Sequence, residues 1–183
     1  MKLSDITKNV KHIAAGLPVD VIVEAAAKTR SAEEAAAAVK GGIQILGYNY
    51  VQEAEKIKSH IDADVSWHLI GHLQKNKAKK AVQIFDMIET IDSVELAEIV
   101  DKLCGQVNKN MDVLIEVNSG RETRKAGVEP DAVESLLRNI NGLSHIRVKG
   151  LMTMGPWVDD PELLRPFFRQ TRELFEHITS LEI

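Results

Sequence analysis

Short apolar runs alternate with longer amphipathic stretches along the whole of this chain, and that alternation constrains its fold more than any single motif. Strands are expected at Val21–Ala27, Ile43–Leu46, Ser66–Ile70, Met87–Thr90, Val113–Asn118 and Ile146–Gly150. A first helix at Ser4–Ala14 precedes them. Between the strands, apolar residues spaced three and four apart predict helices over Ala32–Lys40, Val51–His60, Asn76–Phe85, Val94–Leu103 and Pro130–Asn141. A last helix is expected over Pro161–Thr179. Ser31 with Glu34 three residues on has the form of a capping box, and Ser93 precedes an acid in a first turn. Gly41 and Gly42 are placed to end one helix, and Gly105 another.

Strict alternation of strand and helix means parallel strands with helical crossovers, so the choice lies between a doubly wound sheet and a (β/α) barrel. A doubly wound sheet should carry a glycine-rich phosphate loop after an early strand, and neither G-x-G-x-x-G nor G-x-x-x-x-G-K-[ST] occurs. Polar residues instead stand at successive strand ends: Lys28 after the first, Asn49 after the second, His68 late in the third and Asn118 closing the fifth. Met152 and Met154 follow the sixth. A functional face assembled from many strand ends is the habit of the barrel. The fold class expected is α/β, a TIM (β/α) barrel occupying residues 1–183 as one domain, with no Pro/Ser-rich linker to divide it.

Composition narrows the partners. The net charge of −4 gives no global attraction to nucleic acid or an anionic membrane. Hydrophobic residues make up 44% of the chain, but no apolar run approaches the roughly 20 residues of a membrane span. Cys104 is the only cysteine, which excludes an internal disulfide framework and suits a reducing compartment. The N-terminus lacks the apolar core of a secretory signal. A cytoplasmic protein is expected.

Lys28 is the residue that calls for chemistry. A lysine at a strand end is ordinarily a solvated surface group. At the lip of a barrel it points into a mouth ringed by polar groups. Partial burial there disfavours the ammonium form and makes the amine a usable nucleophile. An amine so placed can form a Schiff base with a carbonyl substrate, as in an aldolase-type lyase, or with pyridoxal phosphate. The residues alone leave both open.

The strings "AAAKTRS", "GYNYVQEAEKI", "WHLIGHLQKNK", "ETIDS", "VLIEVNSGRETRKAG" and "VKGLMTM", in this order and spacing, resemble the pyridoxal-phosphate homeostasis family, barrel proteins similar to the N-terminal domain of bacterial alanine racemase. The likeness covers Lys28 to Met154. It implies that Lys28 carries pyridoxal 5'-phosphate as an internal aldimine, and that Asn49 and His68 lie near the cofactor. It further implies a role in keeping the cofactor, and amino or keto acid pools, in balance, with cofactor-dependent client enzymes as partners. Strong racemase activity is not expected, because the opposite-face base of the related enzyme comes from a separate domain. The alternative is a Schiff-base lyase using Lys28 on a carbonyl substrate.

Two departures from the family pattern matter. Tyr48 stands where the family usually has an acidic residue, and a phenol carries no charge at neutral pH. Family members also continue into two further βα units, whose backbone amides and arginine hold the phosphate and face the pyridine nitrogen. Without them the chain is expected to be C-terminally truncated, or to complete itself by pairing with a second copy, so that it is a monomer or a self-paired dimer.

The remaining features have bland readings. His68 and His72 are four apart, but "WHLIG" reads as a strand entering a glycine turn, and no metal site is expected. Lys75, Lys77, Lys79 and Lys80 form a solvated helical face. Cys104 and Trp67 are packing residues, Tyr50 is expected to pack at a helix start, and Met152 and Met154 to pack in the core or at the rim. No residue is assigned a catalytic role.

Overall fold

The computed structural model describes residues 2–181. Helix α1 (Leu3–Ala15) leads into six βα pairs: β1 (Glu24–Ala26), α2 (Ala32–Gly41), β2 (Ile45–Tyr48), α3 (Val51–Lys58), β3 (Ser66–Leu69), α4 (Ala78–Ile84), β4 (Met87–Ile91), α5 (Val94–Gln106), β5 (Met111–Val117), α6 (Val133–Ile140), β6 (Ile146–Thr153) and α7 (Arg165–Ser180). Short 3-10 turns lead into α4, α6 and α7. All strand pairs are parallel, in the order β1-β2-β3-β4-β5-β6. A doubly wound sheet reverses its order at a switch point. Strands that follow one another in sequence order, each with its helix, make the wall of a (β/α) barrel. The expected fold class holds, with six βα units.

Each strand turns one face to the helices and the other to the barrel axis. In β5, Met111, Val113, Ile115 and Val117 are fully buried, while Asp112, Leu114 and Glu116 between them are partly covered. The layer between sheet and helices joins Leu46, Leu69, Ile88, Val113 and Ile115 to Ala35, Ala38, Ala54, Ala78, Ala81 and Ala97. Small alanines let the helices sit close against bulky strand residues, and burying each Leu- or Ile-sized side chain contributes about 1.5–3 kcal/mol. Trp67 lies in this layer as expected, stacked on Tyr48 with ring centres 5.5 Å apart. Cys104 is buried too, and burial pushes its thiol up to about 11, so it packs and is not a thiolate.

The boundaries differ from expectation where hydrogen bonds are already spent. Strand β2 starts at Ile45 rather than Ile43, because the Ile43 amide donates to Ala38 O (3.2 Å) and closes α2 around left-handed Gly42 (φ 116°). Strand β1 is shorter than Val21–Ala27, because β2 offers no partner opposite residues 21–23 and Val21 instead donates to Pro18 O. Strand β6 runs on to Thr153, which places Met152 inside a strand rather than after one. Gly105 does not end α5. It lies within the helix under His145, whose ring would meet a Cβ there at 3.0 Å. Ser31 and Ser93 cap α2 and α5 as expected, accepting from the amides of Glu34 and Leu96.

Tyr48 belongs to the outer layer. It is 1% exposed, and its hydroxyl has no hydrogen-bond partner among the described residues. Burial, reinforced by the nearby Glu53 carboxylate, pushes the phenol up to about 12. Removing an unpaired buried hydroxyl relieves its desolvation penalty, so Tyr48→Phe should stabilise the protein by about 1 kcal/mol. Urea unfolding midpoints of the two proteins check this. A destabilised variant would mean that the hydroxyl has a buried partner such as water.

Candidate functional site

The strand register levels the C-terminal ends of the first three strands. Ala26 stands opposite Gly47, and Gly47 opposite His68. Two residues further on, Lys28, Asn49 and Ile70 emerge around one cavity of about 510 Å³. Lys28 leaves β1 in a turn in which Ala27 donates to Gly47 O (2.8 Å) and Arg30 to Ala27 O (3.1 Å). Thr29 lies in the left-handed region (φ 61°), an outlier for a β-branched residue and a store of local strain beside the lysine. The Lys28 side chain is at the lip as expected, but it is exposed rather than half-buried. A strand end at the rim, followed at once by a turn, leaves nothing above it to cover the side chain. The partial burial expected of Lys28 is therefore not found.

Asn49 is partly buried, and its amide oxygen has no partner among the described residues. The mouth is held tight beside it. A Cβ on Gly71 would lie 2.6 Å from Asn49 Cα and 2.9 Å from its carbonyl carbon, and Gly71 O accepts from Thr90 Oγ1 (2.8 Å). His68 is not in the lining. It is buried beneath it, with Nδ1 2.7 Å from Glu89 Oε1. Asn118 pins the loop after β5, donating to Glu122 O (3.0 Å) and accepting from its amide (3.1 Å). Met152 is partly covered at the rim, whereas Met154, expected to pack, is 68% exposed; both line the cavity with Ile70.

Three carboxylates form the floor: Glu24, Glu89 and Glu116. Glu24 rises from β1 into the space that Gly47 leaves empty, where a Cβ would lie 3.0 Å from Glu24 Cδ and 2.9 Å from Ile70 Cδ1. Burial, the charge of Glu89 and a hydrogen bond to it push the Glu24 carboxyl up to about 7, against the opposing pull of His68. Burial also raises Glu116, with Asp92 adding to the effect and His72 opposing it. Sequence reasoning missed all three. The signal was a lone acid in each apolar strand, in "VIVEAAA", "MIETI" and "VLIEV".

Other residues stay outside. Tyr48 faces away from the cavity, so it cannot act on anything bound there. Tyr50, the residue before α3, is 63% exposed rather than packed. Lys75, Lys79 and Lys80 are exposed as expected, with Lys75 paired to Glu95 and Lys80 to Glu55, and Lys77 is partly covered. Among the described residues no helix is long and apolar enough to cross a membrane.

A cavity of this size suits a small cofactor. An amine at its lip and apolar side chains in its lining fit the aldehyde and ring of pyridoxal phosphate.

Comparison with known proteins agrees with this architecture. The alanine racemase N-terminal domain family matches residues 1–182. A pyridoxal phosphate homeostasis protein of Aquifex aeolicus is 40% identical over 138 residues, which is 75% of this chain and 60% of the relative. That of Pasteurella multocida is 32% identical over 182 residues, covering 96% of this chain and 78% of the relative. Among solved structures, PipY of Synechococcus elongatus with pyridoxal phosphate bound superimposes with a TM-score of 0.87 at 27% identity, over 96% of this chain and 82% of PipY. The chain belongs to the alanine racemase N-terminal domain family and, with these relatives, to the pyridoxal phosphate homeostasis proteins.

Proposed function

We propose that this protein binds pyridoxal phosphate in the cavity at the C-terminal ends of its strands, covalently through Lys28, and takes part in keeping the cofactor in balance. The observation that carries the reading is the convergence of Lys28 and the unpaired Asn49 oxygen on one cavity, in a chain whose family includes a relative solved with that cofactor. Bound there, the cofactor would supply an aldehyde, and the Lys28 amine would be the nucleophile that holds it, with loss of one water. Ile70 and Met152 would offer apolar surface to the ring, and the unpaired Asn49 Oδ1 would accept a hydrogen bond from a donor on the bound group. His68, clamped by Glu89, supports the floor from below.

Carrying the cofactor suits the site better than racemisation does. Both tyrosines of the chain lie outside the lining, so neither provides a second base. Amino or keto acids and cofactor-dependent enzymes are the partners this reading implies, in a reducing cytoplasm that suits one buried cysteine.

Titrating pyridoxal phosphate into the purified protein tests the reading. A visible absorbance band should grow to one equivalent, and borohydride should fix the mass on the peptide that carries Lys28. A carbonyl sugar or keto acid trapped at Lys28 in its place, with the cofactor excluded, would favour the lyase reading instead.

A further inference from the structure

Beneath the cavity lies a cluster that the cofactor reading does not use in full. One donor atom each from Glu24, His68 and Glu89 lies within 4.8 Å of the others. Two carboxylates are thus held side by side, with His68 the one side chain in ion-pair contact with either among the described residues. Glu89 already engages His68, while Glu24 Oε1 is buried and has no partner. Among the described residues no lysine or arginine pairs with either acid. Gly47 keeps the space for the Glu24 carboxylate clear, since any side chain there would run into it. An unpaired buried oxygen beside a second carboxylate is a cost that a cation at this point would remove.

We propose that Glu24, His68 and Glu89 form a divalent transition-metal site in the floor of the barrel. One imidazole nitrogen with two carboxylate oxygens is a donor set for Zn²⁺ or Mn²⁺. It is too rich in nitrogen for Mg²⁺ or Ca²⁺ and too hard for copper(I). The ligand distance of about 2.0–2.2 Å for Zn²⁺ asks the three donors to close on a common centre, which small rotations about the terminal torsions of the two glutamates allow. Glu24 and Glu89 both line the cavity, so the ion has an approach path and an open coordination position facing the mouth. The site sits below Lys28 and does not depend on it.

The test is equilibrium dialysis of metal-free, cofactor-free protein against Zn²⁺, Mn²⁺ and Mg²⁺ in separate arms, with bound metal counted by elemental analysis. One equivalent of Zn²⁺ or Mn²⁺, and no Mg²⁺, is expected. Glu24→Gln and Glu89→Gln keep the side-chain shape and should each weaken binding by more than the about 10–100-fold that loss of an outer-shell contact costs. Lys28→Ala should bind as the parent does, which separates this site from the cofactor reading. Absence of stoichiometric Zn²⁺ and Mn²⁺ binding to the parent protein would overturn the proposal whatever the variants do. Equal binding by both folded glutamine variants would overturn it as well.

Discussion

Lys28→Ala is expected to abolish the visible absorbance band and the borohydride-stable mass increase while leaving the fold intact. An imine needs a primary amine at that position, and Lys28 is the amine that the turn after β1 sets at the cavity lip. Because its side chain is exposed, truncation removes little packing, and its effect on stability should stay within about 0.5 kcal/mol. Far-ultraviolet circular dichroism and the thermal midpoint should therefore match the parent. Lys28→Arg should fail equally, since guanidinium stays protonated and does not form the imine. Lys125, the other lysine in the lining, controls for a non-specific adduct: Lys125→Ala should retain the band. A Lys28→Ala protein that keeps a reducible adduct of equal strength would move the covalent site elsewhere.

The second large effect is structural and sits at the mouth. Gly71→Ala places a methyl group against the backbone of Asn49, within 2.6 Å of its Cα. The obstacle is main chain rather than the end of a flexible side chain, so the exits of β2 and β3 must move apart. Overpacking of this kind costs about 1–3 kcal/mol. In a chain of this length each kcal/mol lowers the thermal midpoint by about 2–4 °C. Any shift also breaks the register between Gly71 O and Thr90 Oγ1 and carries Asn49 away from the cavity. Cofactor affinity should fall together with stability. Gly142→Ala, where a Cβ meets nothing within 4 Å, is the control and should change neither. Parental stability and affinity in Gly71→Ala would show that the two strand exits are free to separate.

The alternation of strand and helix was readable from periodicity, because each element buries one regular face and the spacing of apolar residues records which face that is; the choice of a barrel came from the polar residues at successive strand ends. Ser31 and Ser93 were readable as caps for the same local reason, since a helix start is satisfied within three residues of itself. Lys28 and Asn49 were readable as strand-end residues, and level strand ends then bring them to one rim. What could not be read was everything set by neighbours distant in the chain. Ile43 looked like strand and became part of a helix cap, and Tyr48, uncharged where the family usually has an acid, went to the outer layer. Glu24, Glu89 and Glu116 each looked like an isolated acid in an apolar strand. Their meeting depends on pairing register, on a missing side chain at Gly47 and on inward orientation along three separate strands. Local sequence specifies which residues form strands and helices, because those hydrogen bonds close within a few residues. The carboxylate floor, the burial of His68 and the exposure of Lys28 arise only when strands far apart in sequence are laid side by side, since burial and charge proximity are properties of the assembled wall.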